Sequence, residues 1–368
     1  MKLIKAKKLV LASLAAVAVA LVSGCQDVIY WNIRKEVTLE DANIKSDIRS
    51  IIRFKDQFYC ANGNIYRKSN TSNSYGTWSK TGAPSGQVLK LAADKDYIYA
   101  LVGISKDSSK DGENIPVRRE LWCSSDGSSW SKVTGVYGNG DIAYSSSSRT
   151  YLFGTNAIKE ENRSAYFILI GGAPGNRAYK LNGDSSVEIL DWSTTNADTK
   201  PTTSSQSCVY DGSAVRFFNS TGSCTNETTT GGGGNQSKYY YGDGSTLKWG
   251  ETGSPTLKGS VGAKAGIFSL GVTKDYILVG TSSGITHHPL TAEGVPGSRA
   301  SNMPYNAEAT LSAQYNILSI LVVNPEKNET ETAIYASQNY TGNGSNSAQF
   351  DHICMWAYYP ERHEWNRD

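Results

Sequence analysis

Residues 87–133 contain four short strand-like runs, which are Gln87–Ala93 (QVLKLAA), Tyr97–Gly103 (YIYALVG), Glu120–Ser124 (ELWCS) and Ser129–Val133 (SWSKV). The runs are rich in aliphatic and aromatic residues, and Gly, Asn, Asp and Ser separate them. Short runs of this composition are typical of antiparallel strands that are joined by turns. This stretch therefore predicts one sheet of four short strands.

Two markers indicate that this unit is repeated along the chain. A tryptophan in a similar setting recurs at intervals of 52, 62, 57 and 116 residues, and the last interval is two steps of 58. These tryptophans are Trp78, Trp130, Trp192, Trp249 and Trp365. A polar turn that is followed by a strand recurs with a similar period, in copies that begin at Lys55, Lys95, Ser148, Gly212 and Lys274, with a looser copy at Glu326. Two markers with one period indicate a structural repeat of about 50–60 residues.

The repeat predicts the architecture, because a four-stranded sheet of this size cannot bury both of its faces alone. Copies that pack around a common axis bury those faces and protect the strand edges. We therefore predict an all-β fold over residues 45–368, a six-bladed β-propeller of four-stranded antiparallel sheets. Seven blades result if Val28–Val37 forms a ring-closing sheet, and a two-sheet sandwich is the alternative fold. Glu36–Arg49 is the one candidate for a short helix or an irregular lead-in.

The turn before the fourth run has a distinctive sequence, Ser124-Ser125-Asp126-Gly127-Ser128-Ser129-Trp130. It resembles the Asp-box of sialidase-type propellers, although Asp126 lies one residue closer to the glycine than in the usual pattern. The resemblance implies a turn shaped by Ser124 and Asp126, a positive φ at Gly127, and Trp130 packed between neighbouring sheets. The box is structural in those families, so the resemblance implies no sialidase activity. Degenerate forms of the turn occur at Asn182–Ser185 and Asp243–Thr246.

The amino terminus resembles a bacterial lipoprotein signal. Four lysines in the first eight residues precede Leu9–Val22, an apolar run that is shorter than the ~20 residues of a membrane-spanning helix. The run ends in Leu21-Val22-Ser23-Gly24-Cys25, where small residues precede a cysteine.

This resemblance implies a signal peptide at residues 1–24 and a diacylglycerol on the thiol of Cys25, with residues 25–44 as anchor and lead-in. The mature chain is then extracytoplasmic and anchored to a membrane of the cell envelope. Gln26 resembles an outer-membrane sorting signal more than an inner-membrane one.

The charge balance argues against a nucleic-acid partner. The chain has 36 Lys and Arg and 34 Asp and Glu, and four of the lysines belong to the predicted signal peptide. The mature part is therefore slightly acidic, whereas binding to a phosphate backbone requires a basic surface.

Five cysteines follow Cys25. Cys208 and Cys224 are close in sequence, so they are a candidate disulfide pair in an oxidising compartment. Cys60, Cys123 and Cys354 lie in strand-like runs and are interpreted as small buried side chains.

No catalytic constellation is recognised in the sequence, and we expect no cofactor or metal site. His287 and His288 are adjacent, so in a strand their rings face opposite sides and cannot share a metal. The sequence also lacks the Arg-Ile-Pro motif with which the arginine trio of a sialidase begins.

Four long polar inserts carry the functional hypothesis. Each is interpreted as a link between the second and third strands of a repeat, so all four are expected on one face of the propeller. They are Ser105–Arg119, Asn156–Asn176, Asn219–Gln236 and Asn339–Ala348, and the candidate binding residues on them are Arg163, Tyr166, Asn339 and Tyr340. The sequence therefore predicts a lipid-anchored binding or scaffold protein for an envelope protein or polysaccharide. The alternative is an envelope glycoside hydrolase or lyase with a site in the central pocket.

Overall fold

A computed structural model gives the structure of this 368-residue chain. It describes residues 42–45, 47–70, 75–104, 118–136, 141–143, 150–157, 163–170, 177–184, 186–189, 207–210, 215–218, 228–229, 238–251, 257–300, 315–323, 332–340, 353–362 and 364–368. All of these residues belong to one unit, Ala42–Asp368. The predicted signal peptide, Cys25 and Cys224 lie outside the described residues, and so does the side chain of Cys208.

Every regular element among the described residues is a β-strand. In chain order the strands are β1 (Ser50–Phe54), β2 (Gln57–Ala61), β3 (Ile65–Ser69), β4 (Ser79–Lys80), β5 (Gln87–Ala93), β6 (Ile98–Ile104), β7 (Arg118–Ser124), β8 (Ser131–Lys132), β9 (Asp141–Ala143), β10 (Thr150–Ala157), β11 (Ala165–Ile170), β12 (Arg177–Asn182), β13 (Ser186–Ile189), β14 (Ser207–Tyr210), β15 (Val215–Phe218), β16 (Thr228–Thr229), β17 (Lys238–Asp243), β18 (Thr246–Glu251), β19 (Leu257–Gly262), β20 (Ile267–Val272), β21 (Tyr276–Thr281), β22 (Gly284–Pro289), β23 (Tyr315–Asn316), β24 (Ile320–Val322), β25 (Ile334–Tyr340), β26 (Cys354–Tyr359) and β27 (Glu364–Arg367).

The strands form seven small sheets in which strands that follow each other along the chain mostly lie side by side. Sheet 1 is β1-β2-β3-β4, sheet 2 is β5-β6-β7-β8 with β9 beside β7, and sheet 3 is β10-β11-β12-β13 with β16 beside β10. Sheet 4 is β14-β15, sheet 5 is β17-β18-β19, sheet 6 is β20-β21-β22, and sheet 7 is β25-β26-β27 with β23 and β24 beside β25. The β10–β16 pair is parallel, and the other pairs between these strands are antiparallel. The predicted all-β class is therefore confirmed.

Sheet 2 matches the unit predicted from residues 87–133. The first predicted strand coincides with β5, and the second is shifted by one residue in β6. The third predicted strand begins two residues late relative to β7, and the fourth contains β8. Short apolar runs between turn residues were enough to locate these strands, and the near-continuous apolar run of β6 fits a strand that is buried on both faces.

Apolar side chains fill the space between consecutive sheets. One cluster joins sheets 1 and 2 through Phe54, Tyr59 and Ile65 on one side and Leu91 and Val102 on the other. Equivalent clusters join sheets 2 and 3, sheets 5 and 6, and sheets 7 and 1. A fully buried large apolar side chain contributes about 1.5–3 kcal/mol, so these inter-sheet clusters are the main source of cohesion.

Buried serine hydroxyls also connect the first strands of neighbouring sheets. The hydroxyl of Ser50 in β1 bonds both the N–H and the C=O of Leu91 in β5, at 3.1 Å each. The hydroxyl of Ser319, just before β24, accepts the N–H of Ile51 at 3.0 Å. Ser269 in β20 donates to the carbonyl of Ile317 at 2.7 Å. Three successive sheet boundaries, 6–7, 7–1 and 1–2, are therefore bridged in the same way.

The interpretation of the third repeat was wrong in its strand assignment. The interpretation of Asn156–Asn176 as a second–third link makes the strand after Ser148 a second strand, but Thr150 begins β10, which packs against the first strand β5. In addition, β11 lies inside the predicted insert Asn156–Asn176, so this segment is not a single link. The Ser-rich stretch before Thr150 resembles a turn in composition, but in the sequence it separates β9 of sheet 2 from β10 of sheet 3.

Candidate functional site

Sheets 7 and 1 meet at a junction to which the residues before β1 also contribute. Lys45 pairs with Cys354 of β26 in an antiparallel bridge. Ile44 and Ile48 pack with Phe58 of sheet 1 and with Tyr335 of sheet 7 in one apolar cluster. We call this region the closing junction, because it joins the first and last sheets of the chain.

A buried ion pair lies in the closing junction. The Nζ atom of Lys68, in β3, lies 2.6 Å and 2.9 Å from the two carboxylate oxygens of Asp368, which follows β27. Both side chains are 0% exposed. Lys68 is on this face because it is the register partner of Phe58, which packs towards sheet 7.

Three uncharged groups also donate hydrogen bonds to the Asp368 carboxylate. The N–H of Gly76 donates to Oδ1 at 2.7 Å, and Nε1 of Trp78 donates to Oδ2 at 3.1 Å. The hydroxyl of Tyr359 donates to Oδ2 at 3.0 Å and is also bonded to Lys68. These bonds reduce the desolvation cost that a buried carboxylate would otherwise carry.

Aromatic rings surround the ammonium group of Lys68. Its Nζ lies 5.1 Å from the ring centroid of Tyr359, 5.5 Å from that of Tyr335 and 5.9 Å from that of Trp78, all within the range of cation–π attraction. Burial lowers the pKa of Lys68, and the Asp368 carboxylate opposes this effect. Burial raises the pKa values of the Tyr335 and Tyr359 hydroxyls. Because the charged groups have no contact with solvent, this cluster is suited to hold two sheets together rather than to act on a substrate.

The turn between β7 and β8 is built around the carboxylate of Asp126. Its Oδ1 accepts the N–H groups of Ser128 and Ser129, at 2.8 Å and 2.7 Å, and the hydroxyl of Ser124, at 2.8 Å. The backbone N–H groups of Ser129 and Ser128 and then the Ser124 hydroxyl hold the pKa of Asp126 well below its usual range. The side chain is exposed, so its role is local to the turn.

This turn docks on sheet 1. Gly127 has φ 74°, and a Cβ atom there would lie 2.2 Å from the hydroxyl oxygen of Tyr59 in β2. Nε1 of Trp130 donates to the carbonyl of Gly82 at 2.9 Å. The β12–β13 turn meets sheet 2 in a similar way, since the N–H of Gly183 donates to the hydroxyl of Tyr99 at 2.8 Å. At both boundaries, a tyrosine near the start of the second strand of one sheet therefore contacts the turn glycine of the next sheet.

The structure does not place the candidate binding residues together on loops. Tyr166 lies in β11 and is 1% exposed, and Asn339 lies in β25 and is 2% exposed. Tyr340 ends β25, and its side chain lies outside the described residues. Arg163 lies just before β11 and donates from Nη1 to the carbonyl of Arg53, at 2.8 Å. These positions follow from the misassigned third repeat and from the length of β25.

The other described histidines and cysteines form no catalytic cluster with one another. His287 and His288 are both buried in β22, and Nδ1 of His288 lies 3.0 Å from the carbonyl oxygen of Gly297. Burial raises the pKa of the Cys123 thiol to about 12, and it also raises that of Cys60. Within the described ranges, no three His, Cys, Asp or Glu side chains are grouped to hold a metal ion. No helix in the described part of the chain is long and apolar enough to cross a membrane.

Sequence reasoning missed the Lys68–Asp368 pair. Alternation along β3 does place Lys68 on one face with Tyr66, and a lysine on the covered face of a strand is a usable signal. The partner is 300 residues away, so no local pattern identifies it.

Compared with protein-family models and with curated proteins, the chain has no match.

Replacing Lys68 by Met leaves the Asp368 carboxylate buried without a counter-charge. We expect Lys68→Met to lower the free energy of unfolding by about 3–5 kcal/mol. Asp368→Asn in the same chain removes the uncompensated charge and retains an oxygen acceptor, so the double variant should be more stable than Lys68→Met alone. Urea unfolding of the two single variants and the double variant measures this coupling. Lys95→Met, at an exposed turn, is the control and should change stability by less than about 0.5 kcal/mol. A Lys68→Met variant as stable as this control contradicts the assignment.

Removing the Asp126 carboxylate tests the turn through its pH dependence. We expect Asp126→Ala to cost about 1 kcal/mol at pH 7, because two backbone N–H groups lose their acceptor. The native pKa lies below the unfolded value of about 3.9, so the contribution is complete above about pH 5 and is lost as the pH falls through the native pKa. The stability difference from the wild type should therefore shrink below pH 4 in thermal unfolding. Ser125→Ala, which changes an exposed side chain of the same turn that carries no charge, should show no such convergence. A pH-independent difference for Asp126→Ala would refute the role of the charge.

Proposed function

We propose that residues 45–368 form a six-bladed β-propeller that is anchored to a membrane by a lipid on Cys25 and binds a partner through loops on one face. The protein then acts as an extracytoplasmic binding or scaffold module of the cell envelope. Three lines of reasoning support this proposal, from the order of the sheets, the amino terminus and the distribution of the links.

Contacts between strands of successive sheets support a ring of sheets. β1 contacts β5, β5 contacts β10, and β10 contacts β14. Further along the chain, β17 contacts β20, β20 contacts β24, and β24 contacts β1. The two runs are joined by β16, which pairs with β10 and contacts β17. A series of neighbours that returns to its first member is what a propeller requires, whereas a sandwich of two sheets has no such return.

The turns that contain a glycine with a positive φ support six blades rather than seven. In sheets 2 and 3 such a turn links the third and fourth strands, at Gly127 and Gly183, with φ 74° and 71°. Gly244, with φ 58°, lies in the turn between β17 and β18. Gly63 and Gly284 have a positive φ in second–third turns, so the equivalence rests on the Asp-Gly-Ser sequence that the turns at Gly127 and Gly244 share. By this equivalence β17 and β18 are the third and fourth strands of a blade that begins with β14 and β15. Sheets 4 and 5 then supply one blade together.

The amino terminus supports lipid anchoring. The sequence Leu21-Val22-Ser23-Gly24-Cys25 follows a basic segment and an apolar run of signal-peptide length. A diacylglycerol on Cys25 would supply about 0.8 kcal/mol of membrane affinity per buried methylene. Gln26 favours an outer-membrane destination.

The lengths of the links carry the binding proposal. The link between β1 and β2 is only Lys55-Asp56, whereas residues 105–117 join β6 to β7 and residues 341–353 join β25 to β26. Nζ of Lys55 donates to the carbonyl of Ser125 at 2.6 Å. The turn between the first and second strands of sheet 1 therefore lies beside the turn between the third and fourth strands of sheet 2. The long second–third links then emerge at the opposite end of the sheets. Long polar loops on a rigid scaffold are typical of a binding surface.

The binding surface is tested with the soluble form that begins at Gln26. It is immobilised and used to capture components of the envelope extract, beside variants in which residues 106–116 or 342–349 are replaced by a Gly-Ser linker. The matched control replaces Lys95-Asp96, at the opposite end of the sheets, with Asn-Gly, which suits a tight turn. We expect the wild type and the turn control to retain one component that the loop variants lose. Equal retention by all four proteins contradicts the binding surface, and release of sugars from envelope polysaccharide supports the hydrolase or lyase alternative.

The anchor is tested in the same preparation with the full chain. Wild type should partition into the detergent phase of a cloud-point extraction, and Cys25→Ser should remain in the aqueous phase. If Cys25→Ser partitions like the wild type, Cys25 does not carry the anchor.

A further inference from the structure

A second cluster in the closing junction consists of oxygen-bearing side chains. Asn316 of β23 is the register partner of Asn339 in β25, so both side chains project from the same face of the sheet. The Nδ2 group of Asn339 donates to Oδ1 of Asp47, in the segment before β1, at 2.8 Å. The cluster therefore links that segment to sheet 7.

Two amide oxygens of this cluster are buried without a hydrogen-bond donor. Asn339 is 2% exposed, and its Oδ1 atom accepts no hydrogen bond in the structure as described. The Oδ1 atom of Asn316 is likewise buried, and no described group donates to it. A buried acceptor without a hydrogen-bond donor destabilises the folded chain.

The orientation of the Asn339 amide follows from its partner. A carboxylate only accepts hydrogen bonds, so the atom of Asn339 that faces Asp47 must be the donor Nδ2. The oxygen is then the atom that lacks a partner, and it is on the face shared with Asn316. Asp47 is exposed, so the cluster is open to solvent on its side.

We propose that Asp47, Asn316 and Asn339 form a calcium-binding site. The two amide oxygens without donors are acceptors, and the Asp47 carboxylate beside them is an acceptor too. Side-chain carbonyl and carboxylate oxygens are the ligands that hard cations prefer. Ca²⁺ accepts six to eight oxygen ligands in irregular geometry, so water completes its shell at the exposed side. Mg²⁺ requires near-ideal octahedral geometry and gives up water reluctantly, and it is the poorer fit.

The role of the cation would be to fasten the closing junction at a second point. Asp47 belongs to the segment that precedes β1, and the two asparagines belong to sheet 7. A cation that binds all three stabilises the folded chain by mass action, since the unfolded chain does not hold these groups together. The millimolar range of affinity typical of extracellular calcium modules suits a site with one carboxylate. This role does not depend on the partner-binding loops.

Calorimetric titration of the full chain in detergent with CaCl2, after removal of cations with EDTA, tests the site. We expect one saturable event with a Kd on the order of 0.1–1 mM, and a rise of about 2 °C in Tm at 10 mM CaCl2. Asp47→Asn should weaken binding at least tenfold. Asp56→Asn removes an equally exposed carboxylate from the β1–β2 turn and should leave the titration unchanged.

The Asn339→Asp variant distinguishes a site that binds a cation from a site that binds a hydrogen-bond donor. The added carboxylate faces Asp47, so we expect a lower Tm in EDTA, a larger rise in Tm with CaCl2 and tighter binding than in the wild type. No saturable binding of CaCl2 to the wild type, or equal loss of binding in Asp56→Asn and Asp47→Asn, overturns the proposal. An equal response to MgCl2 overturns the assignment to calcium.

Discussion

The closing junction depends on the ion pair between Lys68 and Asp368. Two charges removed from water carry a large desolvation cost, and here it is offset by mutual attraction, by three hydrogen bonds to the carboxylate and by the rings around the ammonium. Such a pair adds little net stability compared with apolar side chains, but either charge alone is strongly unfavourable. The pair therefore favours the one docking of β27 and β3 that satisfies both charges.

The other sheet boundaries use a smaller set of contacts that recur. Serine hydroxyls bond the backbone of the next first strand at three boundaries, and a tyrosine of one sheet meets the turn glycine of the next at two boundaries. The tyrosines are Tyr59 and Tyr99, each four residues after the lysine of a Lys-Asp turn. The repeat seen in the sequence thus corresponds to a repeated contact between sheets and not only to a repeated strand order. Apolar clusters between the sheets supply most of the cohesion, while these polar contacts fix how the sheets are aligned.

Much of the fold could be predicted from local patterns, and the parts that could not have physical reasons. Sheet 2 was predictable because its strands are short apolar runs between turn residues, and these patterns are local. The third repeat was misassigned because the segment before Thr150 lacks the Lys-Asp pair and only its composition resembles a turn. Lys68 and Asp368 lie near opposite ends of the described chain, and Asp47 meets Asn339 only where the segment before β1 lies against sheet 7. Contacts of this kind depend on the assembled fold, so no spacing in the sequence indicates them.

The segment before β1 pairs with sheet 7, and sheets 7 and 1 pack against each other at this point. The Lys45–Cys354 bridge allows a direct test, because antiparallel partners have Cα atoms about 4.5–5.5 Å apart, within the range of a disulfide. Lys45→Cys should form a disulfide with Cys354 under mild oxidation of the folded protein, identified by peptide mapping, whereas Lys95→Cys should not. If both introduced thiols remain reduced in the folded protein, or if both cross-link to Cys354 equally, the proposed closure is contradicted.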